Sequence, residues 1–369
     1  MSPEAYGNYG FYIMLSQCAL IVTQWGFTSW GVNELSKNEG LKKSILNNII
    51  SSKLILGTVC FALLVVYVLV FSGQSSLLLL AAFSVYVLSL AFSLETLYIA
   101  SSKTEKLVRI NLVSKLLYTP ILIFLLNQYG ITSQWLFMLF AIQSCLNAVL
   151  LYFSQSEFEL RLSLLNFDYA HNIIKSWPNF LLVFGSFLFA SGPVLVSGHF
   201  LAKEDFAIIY ASIAIVKLAQ ASYQPMIQKI LPKLNEFTSI VMDIKLSLVF
   251  VLIATGILFV GAPYVVKIIY NDKYDDLLPA IRLYSLSIVP GVLTTILVSQ
   301  WAVYVNKISH VYKFIFLIAL VIIALFSICS SFLTWRIVVW TMLISEWILF
   351  AVVMAVLIRD NLIHKTERV

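Results

Sequence analysis

Two charged side chains stand inside long apolar stretches, and their chemistry and positions make them the strongest functional candidates. Lys217 and Glu346 each have apolar neighbours on both sides. A charge at membrane depth is energetically costly, so each group is expected to face water, a ligand or an opposite charge. A lysine in a cavity suits an anionic substrate such as a phosphate. Gln220 and Gln224 follow Lys217 at helical spacing and extend the same polar face.

The sequence leaves alternative roles open for these residues. Lys217, Gln220 and Gln224 are predicted to bind the substrate. Lys217 also fits a structural ion pair with a carboxylate, or a side chain that reaches towards the membrane surface. Glu346 is predicted to bind a coupling proton or sodium ion, or to be the partner of Lys217. No catalytic residue, metal site or cofactor is predicted, because the histidines lack ligand-like spacing to cysteine, aspartate or another histidine.

The composition shows what kind of elements must position these residues. The chain has 369 residues, of which 60% are hydrophobic and 11% are charged. Ordinary soluble domains are about 45–50% apolar and about 25% charged. A single soluble core cannot hide so much apolar surface, which excludes a soluble enzyme, a DNA-binding domain and a disordered protein. The sequence therefore predicts an all-α polytopic membrane protein.

Stretches free of charged residues give the number of helices. Divided at polar or Gly/Pro breaks, they predict about eleven transmembrane helices; residues 54–94 and 116–156 are two of these stretches. Residues 155–175 form the longest polar interruption and separate five predicted spans from six. We therefore expect an N-terminal helical bundle over residues 1–154, a cytoplasmic linker over 155–175, a C-terminal bundle over 176–358 and a cytoplasmic tail over 359–369.

The distribution of basic residues predicts the orientation. The chain contains 24 Lys and Arg against 18 Asp and Glu, and most of the basic residues fall in alternate loops between apolar stretches. The positive-inside rule then places the C-terminus in the cytoplasm and Met1 outside. Residues 1–4 lack the basic start of a signal peptide. A twelfth helix before Met1 would place both termini inside, so we expect a 12-helix, two-lobe transporter lacking its first helix.

The loops argue against an enzyme. The longest predicted outer loop runs only from Tyr270 to Arg282, whereas a membrane enzyme that acts outside usually carries its site on a long loop. No Walker A pattern is present in the short cytoplasmic loops. We therefore expect neither catalysis nor ATP hydrolysis by this chain.

Four segments carry a resemblance to a known family. Residues 2–10 resemble an "L-G-P-E-x-Y-G-x-Y" motif, and residues 25–37 resemble a "D-x-G-F … R-x-I-A-K" motif, with Gln24 where an acidic residue is common. Residues 178–211 resemble the opening of a second bundle, and residues 263–284 resemble an "L-x-G-x-x-Y … L-R" stretch. By these segments the chain resembles the polysaccharide flippases of bacterial surface-glycan synthesis. These are the O-antigen and capsule transporters of the multidrug/oligosaccharidyl-lipid/polysaccharide superfamily.

The resemblance implies a function. Such proteins flip undecaprenyl-diphosphate-linked oligosaccharides across the bacterial inner membrane through a cavity lined by cationic residues, and Lys217 fits that role. The implied partners are the lipid-linked substrate, the bilayer, and the polymerase and chain-length regulator of the same pathway; no nucleic acid is expected. The alternatives are a cation-coupled multidrug exporter of the same superfamily, a membrane enzyme such as a glycan polymerase, and an inactive truncated product.

Overall fold

The structure is a computed structural model in which every regular element of the described residues is helical. It describes residues 2–37, 42–71, 77–129, 132–154, 168–221, 237–270, 276–298 and 308–366. By contacts the chain divides into two compact units, Met1–Phe187 and Leu188–Val369. The boundary lies inside one helix. Whether functional domains divide at residues 154 and 176 stays a prediction.

The first unit is built from α1 to α7 and most of α8. These helices are α1 (Pro3–Gln24), α2 (Phe27–Lys37), α3 (Lys42–Phe71), α4 (Leu77–Ala91), α5 (Glu95–Ala100), α6 (Thr104–Tyr129), α7 (Ser133–Phe153) and α8 (Asp168–Ala190). Helix α4 packs against α3 and α7, and α6 packs against α7. One apolar cluster joins α2, α3, α5 and α7. Its central residue is Tyr98, which is fully buried and donates a hydrogen bond to Leu151 O at 2.9 Å.

The turn between α1 and α2 is fastened to α8 by aromatic stacking. Trp25 ends α1 with φ 42°, and its ring stacks on Phe180 at 3.8 Å while its Nε1 donates to Ile173 O at 3.0 Å. Gly26 follows with φ 72°, and a Cβ there would lie 2.6 Å from the backbone nitrogen of Phe180. Both the left-handed backbone and the close approach require glycine at this position.

The second unit contains the end of α8 and the α-helices that the structure describes after it. These are α9 (Gly192–Phe200), α10 (Lys203–Ala221), α11 (Phe237–Val265, continued by a π-helical turn Val266–Tyr270), α12 (Leu277–Ser285), α13 (Ile288–Leu297), α14 (Ile308–Ile328) and α15 (Trp335–Thr366). Helix α10 packs against α12, α13 and α15, and α13 packs against α15. An apolar cluster that includes Phe189, Leu297 and Leu349 closes the other side of α13 and α15.

The membrane-spanning character agrees with the sequence prediction. Within the described ranges, eight helical segments are long and apolar enough to cross a membrane: Lys43–Val70, Leu77–Ala100, Thr104–Leu125, Ser133–Phe153, Ala170–Ala190, Leu248–Tyr270, Leu277–Leu297 and Trp335–Val356. At the other three predicted spans the chain forms α1, α10 and α14. The all-helical, multi-pass membrane fold is therefore confirmed.

Candidate functional site

Lys217 lies inside the second unit and points at a break in the helices. It sits on α10 next to the fully buried Val216, and its own side chain is partly buried. Its Nζ donates to the backbone carbonyl of Ala190 and to Ser191 Oγ, each at 3.4 Å. Ala190 is the last residue of α8, and Ser191 is buried between α8 and α9. The lysine therefore supplies a donor to a helix-terminal carbonyl in an apolar layer.

The sequence explains why the chain breaks at Ser191. Gly192 and Pro193 open α9. Proline has no N–H to continue the hydrogen-bond ladder of α8, and its ring clashes with the carbonyl four residues earlier. The last carbonyls of α8 consequently need donors from elsewhere. A lysine on the neighbouring helix α10 supplies one of them.

Glu346 and Gln220 converge on the backbone of Gly291. A Cβ at Gly291 would lie 2.6 Å from Gln220 Nε2 and 3.6 Å from Glu346 Oε2, so the absence of a side chain on α13 makes room for both groups. Gln220 Nε2 donates to Ser287 O at 3.4 Å, at the junction of α12 and α13. Three helices thus bring an amide, a carboxylate and a backbone position without a side chain into one place.

Two opposite charges in this cluster act on each other. Glu346 is the opposite charge that acts on the Lys217 ammonium, and Lys217 acts in turn on the Glu346 carboxylate. Glu346 also acts on the buried hydroxyl of Tyr284, on α12. The attraction between this lysine and this glutamate offsets part of the penalty of holding either charge inside a membrane.

The structure therefore brings together three of the four residues selected from the sequence. Lys217, Gln220 and Glu346 belong to one polar cluster of the second unit, whereas Gln224 lies outside the described residues. Whether Glu346 is the partner of Lys217 or a site for a coupling ion stays a prediction. Binding of substrate or of a coupling ion by these residues stays a prediction.

Comparison with known proteins identifies the fold. No protein-family model matches the sequence, and no curated protein matches it. One solved structure is described as the inward-facing conformation of a multidrug resistance MATE family transporter of the MOP superfamily. It aligns with 99% of this chain and 96% of its own, at 14% identity and a TM-score of 0.66. The chain has a MATE-like fold. At this identity the likeness establishes the fold alone.

Two further lysines in the first unit of the MATE-like fold were missed by the sequence reasoning. Lys53 is 1% exposed on α3; its Nζ donates to Ser93 O at 3.3 Å, and Glu95 is the opposite charge that acts on it. Lys115 lies in the middle of α6 with an exposed side chain. Each of these lysines directly precedes a stretch without charged residues. Because the predicted spans were bounded by charged residues, each lysine fell at the edge of a span rather than inside it. A search that allowed one charge within a span would have found them.

Metal-ligand clusters are not a feature of the part of this MATE-like fold that the structure describes. No group of three or more histidine, cysteine, aspartate or glutamate side chains there is arranged to hold a metal ion. The chemistry that the described cluster supports is the binding of a charged or polar ligand by an ammonium, an amide and a carboxylate.

Proposed function

We propose that this chain is a transporter of the bacterial inner membrane that flips undecaprenyl-diphosphate-linked oligosaccharide repeat units for O-antigen or capsule synthesis. The observation that carries the proposal is a transporter fold that aligns along 99% of the chain. The substrate class rests on the flippase-like segments of the sequence, which include residues 2–10 and 25–37. The C-terminus is on the cytoplasmic side, where the basic loops are.

In this proposal Lys217, Gln220 and Gln224 contact the substrate, and Glu346 binds the coupling cation. A proton or sodium ion at Glu346 neutralises the carboxylate that balances Lys217. The ammonium then carries an uncompensated positive charge, which favours an anionic diphosphate in a low-dielectric site. Departure of the cation restores the internal pair and favours substrate release. Binding of cation and substrate is thereby coupled through one pair of charges.

Gln220 connects the pair of Lys217 and Glu346 with helix α13. Its amide already donates to Ser287 O beside Gly291, and the Glu346 carboxylate lies against the same backbone. A change in the charge of Glu346 therefore acts on two groups. One is Lys217, and the other is the Gln220 side chain, which contacts α13. Gln224 follows Gln220 by one helical turn in the sequence and extends the amide-bearing face of the proposed site.

A cation-coupled multidrug exporter is the second candidate. The solved structure with the same fold is itself described as a multidrug resistance transporter. The cluster also contains a carboxylate, Glu346, which suits a cationic drug or a coupling ion as well as it suits Lys217. The two functions differ in the sign of the charge on the transported molecule.

Complementation separates these candidates. The chain is expressed in a strain that lacks its own surface-glycan flippase, and lipid-linked glycan on the outer face of the inner membrane is measured. Lys217→Ala is expected to abolish export while membrane insertion stays normal. Leu218→Ala is the matched control, because Leu218 is the next residue on α10 and is 74% exposed. Normal glycan export by Lys217→Ala at normal expression contradicts the assigned role of this lysine. Drug resistance without glycan export would establish the exporter instead.

A further inference from the structure

A narrow apolar groove lies on the surface of the first unit, where helices α4 and α7 end. It has a volume of about 260 Å³, and one wall follows the last turns of α7 from Cys145 to Phe153. The other wall runs from Leu88 to Phe92 at the end of α4. Leu88 and Phe153 are 51% and 77% exposed. Exposed apolar side chains at the end of two membrane spans face lipid, so this α4–α7 groove opens towards the hydrocarbon layer.

The lining of the α4–α7 groove suits a hydrocarbon chain. Its buried hydroxyl belongs to Ser89, which donates to Tyr86 O at 2.6 Å and lies 2.7 Å from Ser144 Oγ. No buried polar side-chain atom of the lining lacks a partner among the described residues. The rest of the lining is mainly apolar and includes Ala148 and Val149. A sugar or another polar ligand would lose its hydration here without gaining hydrogen bonds, whereas an acyl chain loses nothing.

The length of the groove also indicates a single chain. Phe153 follows Cys145 by eight residues, which corresponds to about 12 Å along α7. A second membrane-spanning helix would need an apolar face of about 30 Å to pack along its length. The groove reaches the end of the candidate span Ser133–Phe153, so one end of it lies at the membrane surface.

Two lysines stand at this surface end. Lys106 lies in the first turn of α6, and its Nζ donates to Ser154 O, directly after the last residue of the groove. Lys103 precedes α6, and both lysines are exposed. Glu105 is paired with Arg109 at 2.5 Å, and neither lysine has an ion pair with a described residue. An ammonium has three N–H donors, so Lys106 keeps two after its contact with the Ser154 carbonyl.

The groove and the lysines are held together by the same apolar cluster. Phe92 and Tyr152 line the groove, and both pack against the cluster around Tyr98, as does Leu107, which follows Lys106 on α6. The positive-inside rule predicts that these lysines lie on the cytoplasmic side. The cytoplasmic leaflet carries anionic phospholipids, which basic residues near its surface attract. The charge at this end of the groove therefore complements a head group that the adjoining leaflet supplies.

We propose that the α4–α7 groove, with Lys103 and Lys106, binds one anionic phospholipid of the cytoplasmic leaflet. One acyl chain lies between α4 and α7, and the phosphate contacts the two ammonium groups. The lipid is a resident of the bilayer and not the transported molecule, so the site does not depend on the proposed function. A lipid that binds the folded chain stabilises it, which makes the stability of the first unit depend on the anionic lipid content of the membrane.

Native mass spectrometry of the purified full chain in detergent tests the charged end of the site. The protein is titrated with phosphatidylglycerol and with phosphatidylcholine of the same acyl chains, and the affinity of the first bound lipid is measured. We expect phosphatidylglycerol to bind at least about fivefold more tightly. The double variant Lys103→Gln/Lys106→Gln should lose this preference, whereas Lys103→Arg/Lys106→Arg should keep it because both charges remain. Lys43→Gln is the control, since Lys43 is an exposed lysine of another basic segment.

A bulkier side chain in the wall tests the apolar part. Val149→Trp fills the groove and should weaken binding of phosphatidylglycerol about tenfold, which corresponds to lost burial of about two methylene groups. Val149 is 42% exposed, so the new ring fits at the surface of the helix. Ile142→Trp is the matched control, because Ile142 is 50% exposed on the same helix and does not line the groove.

Several results would overturn the proposal. Equal affinities for the two lipids would do so, and so would an unchanged preference in the Lys103→Gln/Lys106→Gln variant. Normal lipid binding by Val149→Trp would place the lipid elsewhere. Undecaprenyl phosphate that displaces phosphatidylglycerol and binds more tightly would assign the groove to the transported lipid. Loss of a dimer from the spectra of Val149→Trp would assign it to a second copy of the chain.

Thermal unfolding gives a second measurement on the same proteins. Phosphatidylglycerol should raise the unfolding midpoint of the unaltered chain and of the arginine variant, and it should leave that of the glutamine variant unchanged. Equal shifts in all three proteins would contradict a role for the two lysines. Neither measurement depends on glycan export, so failure of the flippase function leaves the lipid site standing, and failure of the site leaves the function standing.

Discussion

Each unit of the molecule contains a lysine that donates to the carbonyl at a helix break and has a glutamate as its opposite charge. In the first unit Lys53 donates to Ser93 O, where the chain passes from α4 to α5, and Glu95 is its opposite charge. In the second unit Lys217 donates to Ala190 O, where the chain passes from α8 to α9, and Glu346 is its opposite charge. A broken helix leaves carbonyls without donors in an apolar layer, and a neighbouring lysine supplies them.

The two lysines differ in their access to other molecules. Lys53 is 1% exposed, so its ammonium can serve only the protein around it. Lys217 is partly exposed, and Glu346 lies against the bare backbone of Gly291 together with the amide of Gln220. The pair of Lys53 and Glu95 therefore stabilises the first unit. The pair of Lys217 and Glu346 in the second unit is accessible enough to contact a ligand. Measurements of stability and of transport test this difference between the two lysines.

Replacement of Lys53 should have the largest effect on stability. Lys53→Ala removes the donor to Ser93 O and leaves Glu95 without its opposite charge, which we expect to cost about 3 kcal/mol of unfolding free energy. Denaturant unfolding of the purified protein in detergent measures the change. Lys43→Ala is the control, since Lys43 is exposed near the start of the same helix. A Lys53→Ala protein as stable as the control would show that the first unit does not depend on this pair.

Gly291→Ala should have the next largest effect. The new methyl group would lie 2.6 Å from Gln220 Nε2, the flexible end of a side chain that can swing aside, so the main cost is the lost hydrogen bond to Ser287 O, about 1 kcal/mol. Transport should fall as well, because the group that lies beside Glu346 has moved. Gly256→Ala and Gly261→Ala are matched controls in α11, where a Cβ meets no atom within 4 Å. Equal behaviour of all three variants in unfolding and transport assays would contradict the close approach at Gly291.

The pairing of Lys217 with Glu346 should appear as a coupling of about 1 kcal/mol. Lys217→Ala, Glu346→Gln and the double variant form a double-mutant cycle in which the unfolding free energy of each protein is measured. A positive coupling is expected, because either single change leaves one charge inside the bundle without its partner. Strictly additive effects would mean that the two residues act separately. Lys217 would then lack the glutamate interaction that we describe for Lys53.

Ser191→Ala should have the smallest effect. It removes a 3.4 Å contact to Lys217 Nζ but keeps the Ala190 carbonyl as acceptor, so the expected loss is about 0.5 kcal/mol. Ser186→Ala is the control, because Ser186 Oγ donates only to Leu182 O of its own helix in the described contacts. A loss as large as that of Lys53→Ala would show that the hydroxyl, rather than the carbonyl, holds the lysine.

Predictions from the sequence succeeded where a feature depends on one helix alone. The apolar stretches that became α4, α7 and α11 were recognisable because about 20 apolar residues have only a membrane to cross. Lys217 and Glu346 were recognisable because each interrupts such a stretch. Lys53 and Lys115 were missed because a charge was taken as the end of a span. In the structure α3 and α6 continue through them, since backbone hydrogen bonding does not depend on the side chain.

The sequence by itself determined that this protein is an all-helical, multi-pass membrane protein with rare charges inside its spans. Composition and hydropathy act over single segments, so no knowledge of the packing was needed. Only the tertiary structure decided which groups meet. Ser191 and Gly291 have nothing in their local sequence to connect them with Lys217 or Glu346. They meet because α10, α13 and α15 pack together and α8 breaks beside them, which joins residues more than 150 positions apart in one cluster.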